Sequence, residues 1–512
     1  MHRTVGWLAA LAAVIASGLV AVRGPGSSGV GLGGVSLAPD TAHAQALTGK
    51  AFGTMPDRER LRALKRAVDE GLTYIPGRVL VKWQEGLPTA AKVSSISGLK
   101  GARLANDDRY ADFEMVEVAA DVNPQEAAAA LAAQPGVEYA EPDGLRYVSF
   151  RPNDPSYSRQ WNMPAINIET AWDINQGGDN SVVVAVLDTG VAYKTDVYRL
   201  QRYDGRTLRT IDVPVAAAND LATADRFVSP FDFIWGDNEP SDFDGHGTHV
   251  AGTIGQLTNN NSGLTGVAFN VKIMPLKVCA SAWDILFLFA QDGVSQVDPD
   301  FSACPDSDQA EAIRYAADHG AKVINMSLGG GGTQSRAVGD ALRYAVGRGV
   351  FVAIAAGNEF EDGNPVSHPA SFGPEIAGVM SVAAIGRNNQ RAFYSNTGAY
   401  VEIAAPGGNS REGGAAGMIY QQTLNPATYP VTSLAPRFDL FQEAPFQGTS
   451  MASPHVAGLA ALLISQGITS PATVEAAIRH FSKDLGTAGR DNEYGDGLID
   501  ARATLRGLGL LR

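Results

Sequence analysis

Four mostly apolar runs constrain the fold of this chain more than any other feature of its sequence. They lie at Ser181–Leu187, Ala321–Met326, Val350–Ala355 and Gly378–Ala383. Strands with so few polar residues are typical of parallel sheets that are buried on both faces. Helical stretches separate several of the runs, so strand and helix alternate along the chain. The sequence therefore predicts a three-layer α/β domain, with a mainly parallel central sheet between two layers of helices.

The length and charge of the chain narrow the classes of protein to which it can belong. Its 512 residues suffice for two or three domains, and a hydrophobic content of 45% supports a large core. The formal net charge is −14, and Lys and Arg form no dense block. Nucleic acid is therefore not expected as a partner.

The first 44 residues predict a signal peptide. Arg3 precedes an apolar run from Val5 to Val22, and Ala42–Ala44 offers a cleavage site of the small-x-small type. The alternative is a retained membrane anchor, because a run of about 18 residues approaches the minimum length of a span. No later segment carries a comparable run. We expect export, no stable membrane span once the signal is removed, and a spacer over residues 45–73.

Residues 74–150 predict a small α+β unit that precedes the larger domain. Strand patterns occur at 78–83, at 113–118 and from Val137 onward. Asn123 can cap an Ala-rich helix, with Pro124 in the first turn and Glu126 placed to complete a capping box. By itself this pattern fits either a free-standing accessory domain or a propeptide.

Four polar residues of the larger domain suit nucleophilic catalysis. Asp188 follows the first apolar run directly, His246 stands between two glycines, and Ser450 opens a small-residue segment typical of a buried helix. Serine is a weak nucleophile that needs a base, and the base needs a carboxylate to orient it. At a helix N-terminus, Ser450 lies where backbone N–H groups favour negative charge. Asn358 ends another run and carries an amide that can donate to an oxyanion.

Each motif taken alone leaves another interpretation open. Asp188 can cap a turn, and Asn358 can form one. His246 and His249 have a spacing that can bind a metal, but no third ligand is evident, and we expect His249 to pack locally. In the order Asp, His, amide Asn and Ser, and with the segment Gly448–Gly458, the four residues resemble the subtilisin-like serine proteases.

This resemblance extends over about residues 153–501 and implies a role for each of these residues. Ser450 would attack the peptide carbonyl, while His246 would take its proton and later pass it to the leaving amine. Asp188 would orient His246, and Asn358 would form an oxyanion hole with the backbone N–H of Ser450.

The resemblance also implies a substrate groove, a zymogen and a location outside the cell. Protein and peptide substrates would pair as extra strands with two segments, and Ser367 with His368 would lie at the primary pocket. The unit at 74–150 would be a ferredoxin-like inhibitory propeptide that assists folding, followed by a catalytic domain at 151–512. We expect a secreted monomer that needs no cofactor for catalysis. The groove residues implied are Ser327, Leu328, Gly329, Ala355, Ala356 and Gly357.

Calcium and one disulfide are two further expectations. By resemblance, Asp154, Asp196 and Asn260 would bind a structural calcium ion through oxygen atoms. The alternative for the Asn-rich loop is a solvated turn. Cys279 and Cys304 are either buried thiols or, as is more typical of exported proteins, a disulfide.

Three other functions compete with that of a broad endopeptidase. A catalytically inactive scaffold would be expected to lack a triad residue, and none is lacking. A processing protease that reads basic sites would need acidic groove residues, for which Glu359 is the one candidate. An α/β-hydrolase esterase would need Gly-x-Ser-x-Gly with the histidine last, whereas here His246 precedes Ser450.

Overall fold

The computed structural model describes residues 62–67, 72–104, 112–119, 121–145, 150–223 and 225–507. The predicted signal peptide and most of the predicted spacer lie outside the described residues. The chain divides into two compact units, Met1–Val148 and Ser149–Arg512. Among the described residues, no helix combines the length and the apolarity that crossing a membrane requires.

The described part of the first unit contains a four-stranded antiparallel sheet with two helices, besides a helical stretch at 62–67. Its elements are β1 (Tyr74–Trp83), α1 (Thr89–Ile96), β2 (Arg103–Leu104), β3 (Glu114–Glu117), α2 (Pro124–Ala132) and β4 (Val137–Gly144). The strand order β2-β3-β1-β4, antiparallel throughout, confirms the ferredoxin-like α+β arrangement. Asn123 caps α2 by accepting the N–H of Gln125 at 2.9 Å. Val81 and Leu131 belong to the buried core of this unit.

The second unit is built on one large sheet with shorter strand pairs beside it. Its strands are β5 (Val183–Asp188), β6 (Asp196–Tyr203), β7 (Leu208–Val215), β8 (Phe231–Asp232), β9 (Lys272–Lys277), β10 (Ala280–Ser281), β11 (Ser302–Ala303), β12 (Val323–Met326), β13 (Phe351–Ala355), β14 (Val379–Ile385), β15 (Ile403–Pro406), β16 (Ile419–Leu424) and β17 (Phe441–Phe446). Seven of them form one parallel sheet in the order β15-β14-β13-β12-β5-β9-β8. Residues 184–187 of β5 are each no more than 1% exposed, as a strand covered on both faces requires.

Helices cover this sheet and complete the three-layer fold. They are α3 (Asn162–Ala165), α4 (Ile168–Trp172), α5 (His246–Gly255), α6 (Ala282–Leu288), α7 (Asp306–Asp318), α8 (Arg336–Gly347), α9 (Thr449–Ser465), α10 (Pro471–His480) and α11 (Ala501–Gly507). The helix α9 packs against β12, β13, β14 and β15 and against α5, while α7 packs against α8. The prediction of a parallel sheet enclosed by helices is therefore confirmed.

Three antiparallel pairs lie outside the large sheet. They are β6 with β7, β10 with β11, and β16 with β17. Phe438, between β16 and β17, belongs to an aromatic cluster. Its ring lies 5.0 Å from that of Phe243 and 5.8 Å from that of Trp283. The chain that connects β16 to β17 is thereby anchored to the rest of the unit.

Candidate active site

Asp188 and His246 form a direct hydrogen bond. Asp188 ends β5 with its side chain 2% exposed, and His246 opens α5 with its side chain 27% exposed. His246 Nδ1 lies 2.7 Å from Asp188 Oδ1. Because a carboxylate can only accept this bond, Nδ1 carries a proton and Nε2 is the ring nitrogen left for another partner.

A tight turn places His246 at the start of its helix. Gly245 adopts a φ of 108°, and a Cβ atom on Gly247 would come within 2.1 Å of the carbonyl oxygen of Gly190. Glycine is therefore required on both sides of His246. The buried carboxylate of Asp242 accepts the backbone N–H groups of Gly245 at 2.9 Å and Thr248 at 3.0 Å, which fixes the turn.

Ser450 lies at the same edge of the sheet. It is the second residue of α9, its hydroxyl donates to the carbonyl oxygen of Ser327 at 3.2 Å, and Ser327 Oγ donates back to the carbonyl oxygen of Ser450 at 2.7 Å. Ser327 follows β12, which pairs with β5 so that Met326 stands opposite Leu187. Ser327 is therefore the neighbour across the strands of Asp188, and the serine and the His246–Asp188 pair share one edge.

The side chain of Asn358 has a fixed orientation. Its Oδ1 accepts the backbone N–H of Thr449 at 2.8 Å and the Thr449 hydroxyl at 3.0 Å. A backbone N–H can only donate, so the amide oxygen must face Thr449 and the NH₂ group must face away. That NH₂ group lies near Gly448, because a Cβ atom on this glycine would come within 3.7 Å of its nitrogen, and a free amide donor next to the start of α9 suits an oxyanion.

The predicted groove segments follow two neighbouring strands. Ser327–Gly329 come after β12 and Ala355–Gly357 end β13 or follow it, and these strands pair in parallel. Ser367 and His368 lie beside the first segment, because His368 exchanges backbone hydrogen bonds of 2.8 and 3.1 Å with Gly330. The two groove segments therefore offer backbone groups at the edge where Ser450 lies.

Glu359 is already engaged by groups of its own chain. Its Oε2 accepts the backbone N–H of Asn358 at 2.9 Å and the side-chain NH₂ of Asn396 at 3.0 Å. These bonds hold the loop that carries Asn358. They give Glu359 a structural task and do not favour a role in recognising basic substrate side chains.

The charges around His246 change its pKa. Burial lowers the pKa, but the negative charges of Asp188, Asp244 and Asp242 outweigh this and raise it to about 9. His249, by contrast, is fully buried, and burial lowers its pKa to about 3. Its Nε2 lies 3.1 Å from the carbonyl oxygen of Ile419, so His249 is a neutral packing residue, as expected.

The structure brings together two of the three predicted calcium ligands. Asp154 accepts the backbone N–H groups of Asn259 at 2.7 Å and Asn260 at 3.3 Å, so the N-terminal segment and the Asn-rich loop meet. Asp196 lies elsewhere in its contacts: it is exposed at the start of β6, 3.1 Å from the ammonium group of Lys194. Its described contacts, with Lys194 and the backbone N–H of Val197, do not include the Asn-rich loop, so the structure does not bring Asp196 together with Asp154 and Asn260.

A second carboxylate, that of Asp220, also meets the Asn-rich loop. It lies 2.7 Å from the Asn260 side-chain amide, and burial, with the charge of Asp154 as a smaller cause, raises its pKa. Two carboxylates that repel each other beside an amide fit a hard divalent cation in their donor chemistry. Among the described residues, no group of three or more His, Cys, Asp or Glu side chains is arranged to hold a metal. Asp154 and Asp220 are thus the carboxylates that a calcium ion would use, whereas Asn260 directs its NH₂ group at Asp220 and its amide oxygen at the backbone N–H of Ser262.

The two cysteines form a disulfide, as expected for an exported protein. Cys279 follows β9 and is bonded to Cys304, which follows β11. The backbone N–H of Cys279 also donates to the carbonyl oxygen of Asp188 at 3.2 Å. The bridge therefore ties the exposed strand β11 to the segment that supports Asp188.

Two site residues are missing from the predictions made on sequence. Asp242 fixes the histidine turn, and its signal was its position just before the Asp244-Gly-His segment. Asp220 lies in an irregular stretch between Asp188 and His246, where nothing in the sequence distinguishes it from other acidic residues.

A parallel sheet with this carboxylate–imidazole pair beside a serine places the chain among the serine proteases. Comparison with known proteins is more specific: residues 179–497 match the profile of the subtilase family, and the chain belongs to that family. Residues 64–143 match the profile described as the fervidolysin N-terminal prodomain. The enzyme is thus a subtilase with a prodomain.

Three similar proteins illustrate the family. The thermophilic serine proteinase of Bacillus sp. (strain AK1) is 30% identical over 82% of this chain and 87% of its own length. The extracellular protease of Xanthomonas campestris pv. campestris is 33% identical over 73% of this chain, which spans 60% of that relative. A solved protease structure from Pseudoalteromonas arctica PAMC 21717 has 29% identity and a TM-score of 0.52, covering 69% of this chain and 98% of that one.

Proposed function

We propose that this chain is a secreted endopeptidase, made as a zymogen that processes itself, and that it cleaves proteins through an acyl-enzyme intermediate on Ser450. The observation that carries the proposal is the 2.7 Å bond between His246 Nδ1 and Asp188 Oδ1, at the edge of the sheet where Ser450 lies. That bond leaves Nε2 as the base.

The reaction begins when Nε2 of His246 accepts the proton of Ser450 as its oxygen attacks the scissile carbonyl. The imidazolium that forms is stabilised by the carboxylate of Asp188, which is buried and therefore acts at low dielectric. His246 then gives the proton to the leaving amine, and the acyl group stays on Ser450. Water, activated by the same imidazole, attacks the ester and releases the acid.

Negative charge on the carbonyl oxygen would be met by two donors. One is the side-chain NH₂ of Asn358, held by the bonds of its Oδ1 to Thr449. The other is the backbone N–H of Ser450 in the first turn of α9, where the helix dipole adds to the effect. Extended substrate would pair with residues 327–329 and 355–357 through backbone groups, so that side chains of varied kind are accepted.

The zymogen part of the proposal rests on the first unit. Its fold and its match to a prodomain profile support a propeptide at 74–150 that assists folding and inhibits the catalytic domain at 151–512. The name of the Xanthomonas relative, an extracellular protease, supports secretion. The disulfide is consistent with an oxidising compartment.

The deciding experiment replaces the nucleophile in the full chain. We expect Ser450→Ala to lower kcat on a peptide substrate by about 10⁶-fold, the order of loss known for removal of a triad serine, and to accumulate as the unprocessed precursor. The matched control is Ser465→Ala, at the far end of the same helix, whose hydroxyl donates to Leu462 and whose loss should leave both activity and processing intact.

Two readouts separate the parts of the proposal. Activity retained by Ser450→Ala would refute the assignment of the nucleophile. Normal cleavage between the two units in an inactive Ser450→Ala chain, found by N-terminal sequencing, would refute self-processing alone. Labelling of the unaltered enzyme by a serine-reactive phosphonate, absent in the variant, gives an independent check of Ser450.

A further inference from the structure

The segment that connects β16 to β17, residues 425–440, contacts the turn before His246. Its Tyr429 is 9% exposed, and the phenolic O–H donates to the backbone carbonyl of Asp244 at 2.5 Å. Burial, followed by the charges of Asp242 and Asp244, raises the pKa of Tyr429, so its hydroxyl stays protonated and remains a donor. No step of the mechanism above uses this contact.

A second donor holds the next carbonyl of the same turn. Thr423, in β16, donates its hydroxyl to the backbone carbonyl of Gly245 at 2.5 Å. That carbonyl also accepts the N–H of His249, which is the first helical hydrogen bond of α5. The two peptide groups that precede His246 are therefore both held from the β16–β17 side.

Tyr429 is itself held by neighbours on other elements. Its carbonyl oxygen accepts the indole N–H of Trp283 at 2.8 Å, and its ring lies 4.7 Å from that of Phe438. The N–H of Phe438 donates to the carbonyl oxygen of Pro214 at 2.9 Å. The buried guanidinium of Arg202 donates to the carbonyl oxygen of Val431 at 2.9 Å. Hydrogen bonds to three other elements, α6, β6 and β7, thus hold the segment that carries the Tyr429 hydroxyl.

We propose that Tyr429, with Thr423 beside it, is a positioning residue for His246 in the reaction described above. The two hydroxyls fix the peptide planes from which the imidazole projects, and so keep its Nδ1 on Asp188 and its Nε2 at the serine. Small displacements of a catalytic base lower the rate steeply, because proton transfer needs a short and aligned contact. This inference rests on the proposed function of His246.

The test compares Tyr429→Phe with Tyr157→Phe in the full chain, after the active fraction has been titrated with the phosphonate. The two tyrosines are similarly buried, at 9% and 7%, and Tyr157 donates to Glu169 at 2.9 Å. We expect Tyr429→Phe to lower kcat about tenfold with KM within twofold, the order expected for a loosened catalytic contact. Tyr157→Phe should keep kcat within twofold.

The pH profile distinguishes positioning from general stability. The carboxylates of Asp188, Asp244 and Asp242 raise the pKa of His246, and a looser bond to Asp188 reduces the largest of these effects. The acid limb of kcat/KM should therefore move to lower pH in Tyr429→Phe. A variant that melts at a lower temperature but keeps both its kcat and its acid limb would overturn the inference.

Thr423 offers a pair of variants matched in size. Thr423→Ser keeps the donor to Gly245, whereas Thr423→Val keeps the shape and removes the donor. We expect Thr423→Ser to retain kcat and Thr423→Val to lower it. Equal kcat in the two variants would count against a positioning role for the Thr423 hydroxyl. These results are independent of Ser450→Ala: activity in that variant would remove the proposed function itself, whereas unaltered kinetics of Tyr429→Phe would remove only the positioning role.

Discussion

His246 controls the pH range in which the enzyme can work. Its imidazole must be neutral to accept a proton, yet the three carboxylates of Asp188, Asp244 and Asp242 raise its pKa from 6.5 to about 9. A raised pKa favours the protonated ring, so activity is lost as the pH falls below that value. We therefore expect kcat/KM to rise with pH through the alkaline range, with an acid limb well above the ordinary pKa of histidine.

Asp244→Asn tests the cause of that limb. Asp244 Oδ1 accepts the backbone N–H of His246 at 3.1 Å, and the oxygen of an asparagine amide can keep this bond while the charge is removed. The acid limb of kcat/KM should shift to lower pH, and by less than loss of the Asp188 charge would cause, because Asp244 is a smaller cause of the raised pKa of His246. The control Asp318→Asn changes a surface carboxylate on α7. A limb that stays in place in Asp244→Asn would show that this charge does not act on His246.

The same pH shift also affects folding stability, with a definite sign. Because the folded-state pKa of His246 lies above its unfolded value, protonation favours the folded chain. This contribution is complete below about pH 6.5 and is lost as the pH rises through about 9. The conditions that activate the base therefore remove some of the stability of its ion pair.

Strands that are buried on both faces could be predicted from the sequence, whereas the antiparallel pairs outside the large sheet could not. The runs at 181–187 and 350–355 became β5 and β13, because a strand without a solvent face has a distinctive composition. The hairpin of β6 and β7 mixes charged and apolar residues without a regular alternation and is only partly buried, so its pattern resembles that of a loop. The sequence therefore points to Asp196, with which the hairpin begins, and does not mark Asp220, which lies beyond the hairpin.

The candidate triad was predictable for a different reason. Each residue is marked by glycines that its backbone needs, as Gly245 and Gly247 mark His246. Tyr429 has no such mark, because it acts through its hydroxyl and lies in an irregular segment. Contacts made by long side chains across distant elements leave no periodic pattern in the sequence.

The pair β10–β11 depends on its disulfide. The bridge between Cys279 and Cys304 spans 25 positions, and the closed-loop model gives about 3–4 kcal/mol of stabilisation for a loop of that length. We expect the double variant Cys279→Ala and Cys304→Ser to lose about this much free energy of unfolding, measured by denaturant titration. The unaltered chain, once reduced, is the control and should match the variant. Equal midpoints for the oxidised and reduced chains would contradict the prediction.

At the scale of the whole molecule, the catalytic unit brings together parts of the chain that are far apart in sequence. The N-terminal segment at Asp154, the stretch at Asp220 and the loop at 257–264 meet at one place, through bonds of Asp154 and Asn260. The carboxylates of Asp154 and Asp220 repel each other, and a bound cation would turn this repulsion into attraction. The junction is thus where an ion would do most to join the first residues of the second unit to its sheet.

Calcium should therefore raise the melting temperature of the enzyme, and a chelator should lower it. At a concentration about a hundredfold above its dissociation constant, an ion that binds only the folded state contributes about 2.7 kcal/mol, or roughly 3–4 °C for a domain of this size. Asp220→Asn should lose this response, whereas Asp196→Asn, which removes only an exposed partner of Lys194, should keep it. Because the two substitutions change the same charge, the comparison locates the ion; a response lost in Asp196→Asn and kept in Asp220→Asn would restore the ligand set that the sequence alone suggested.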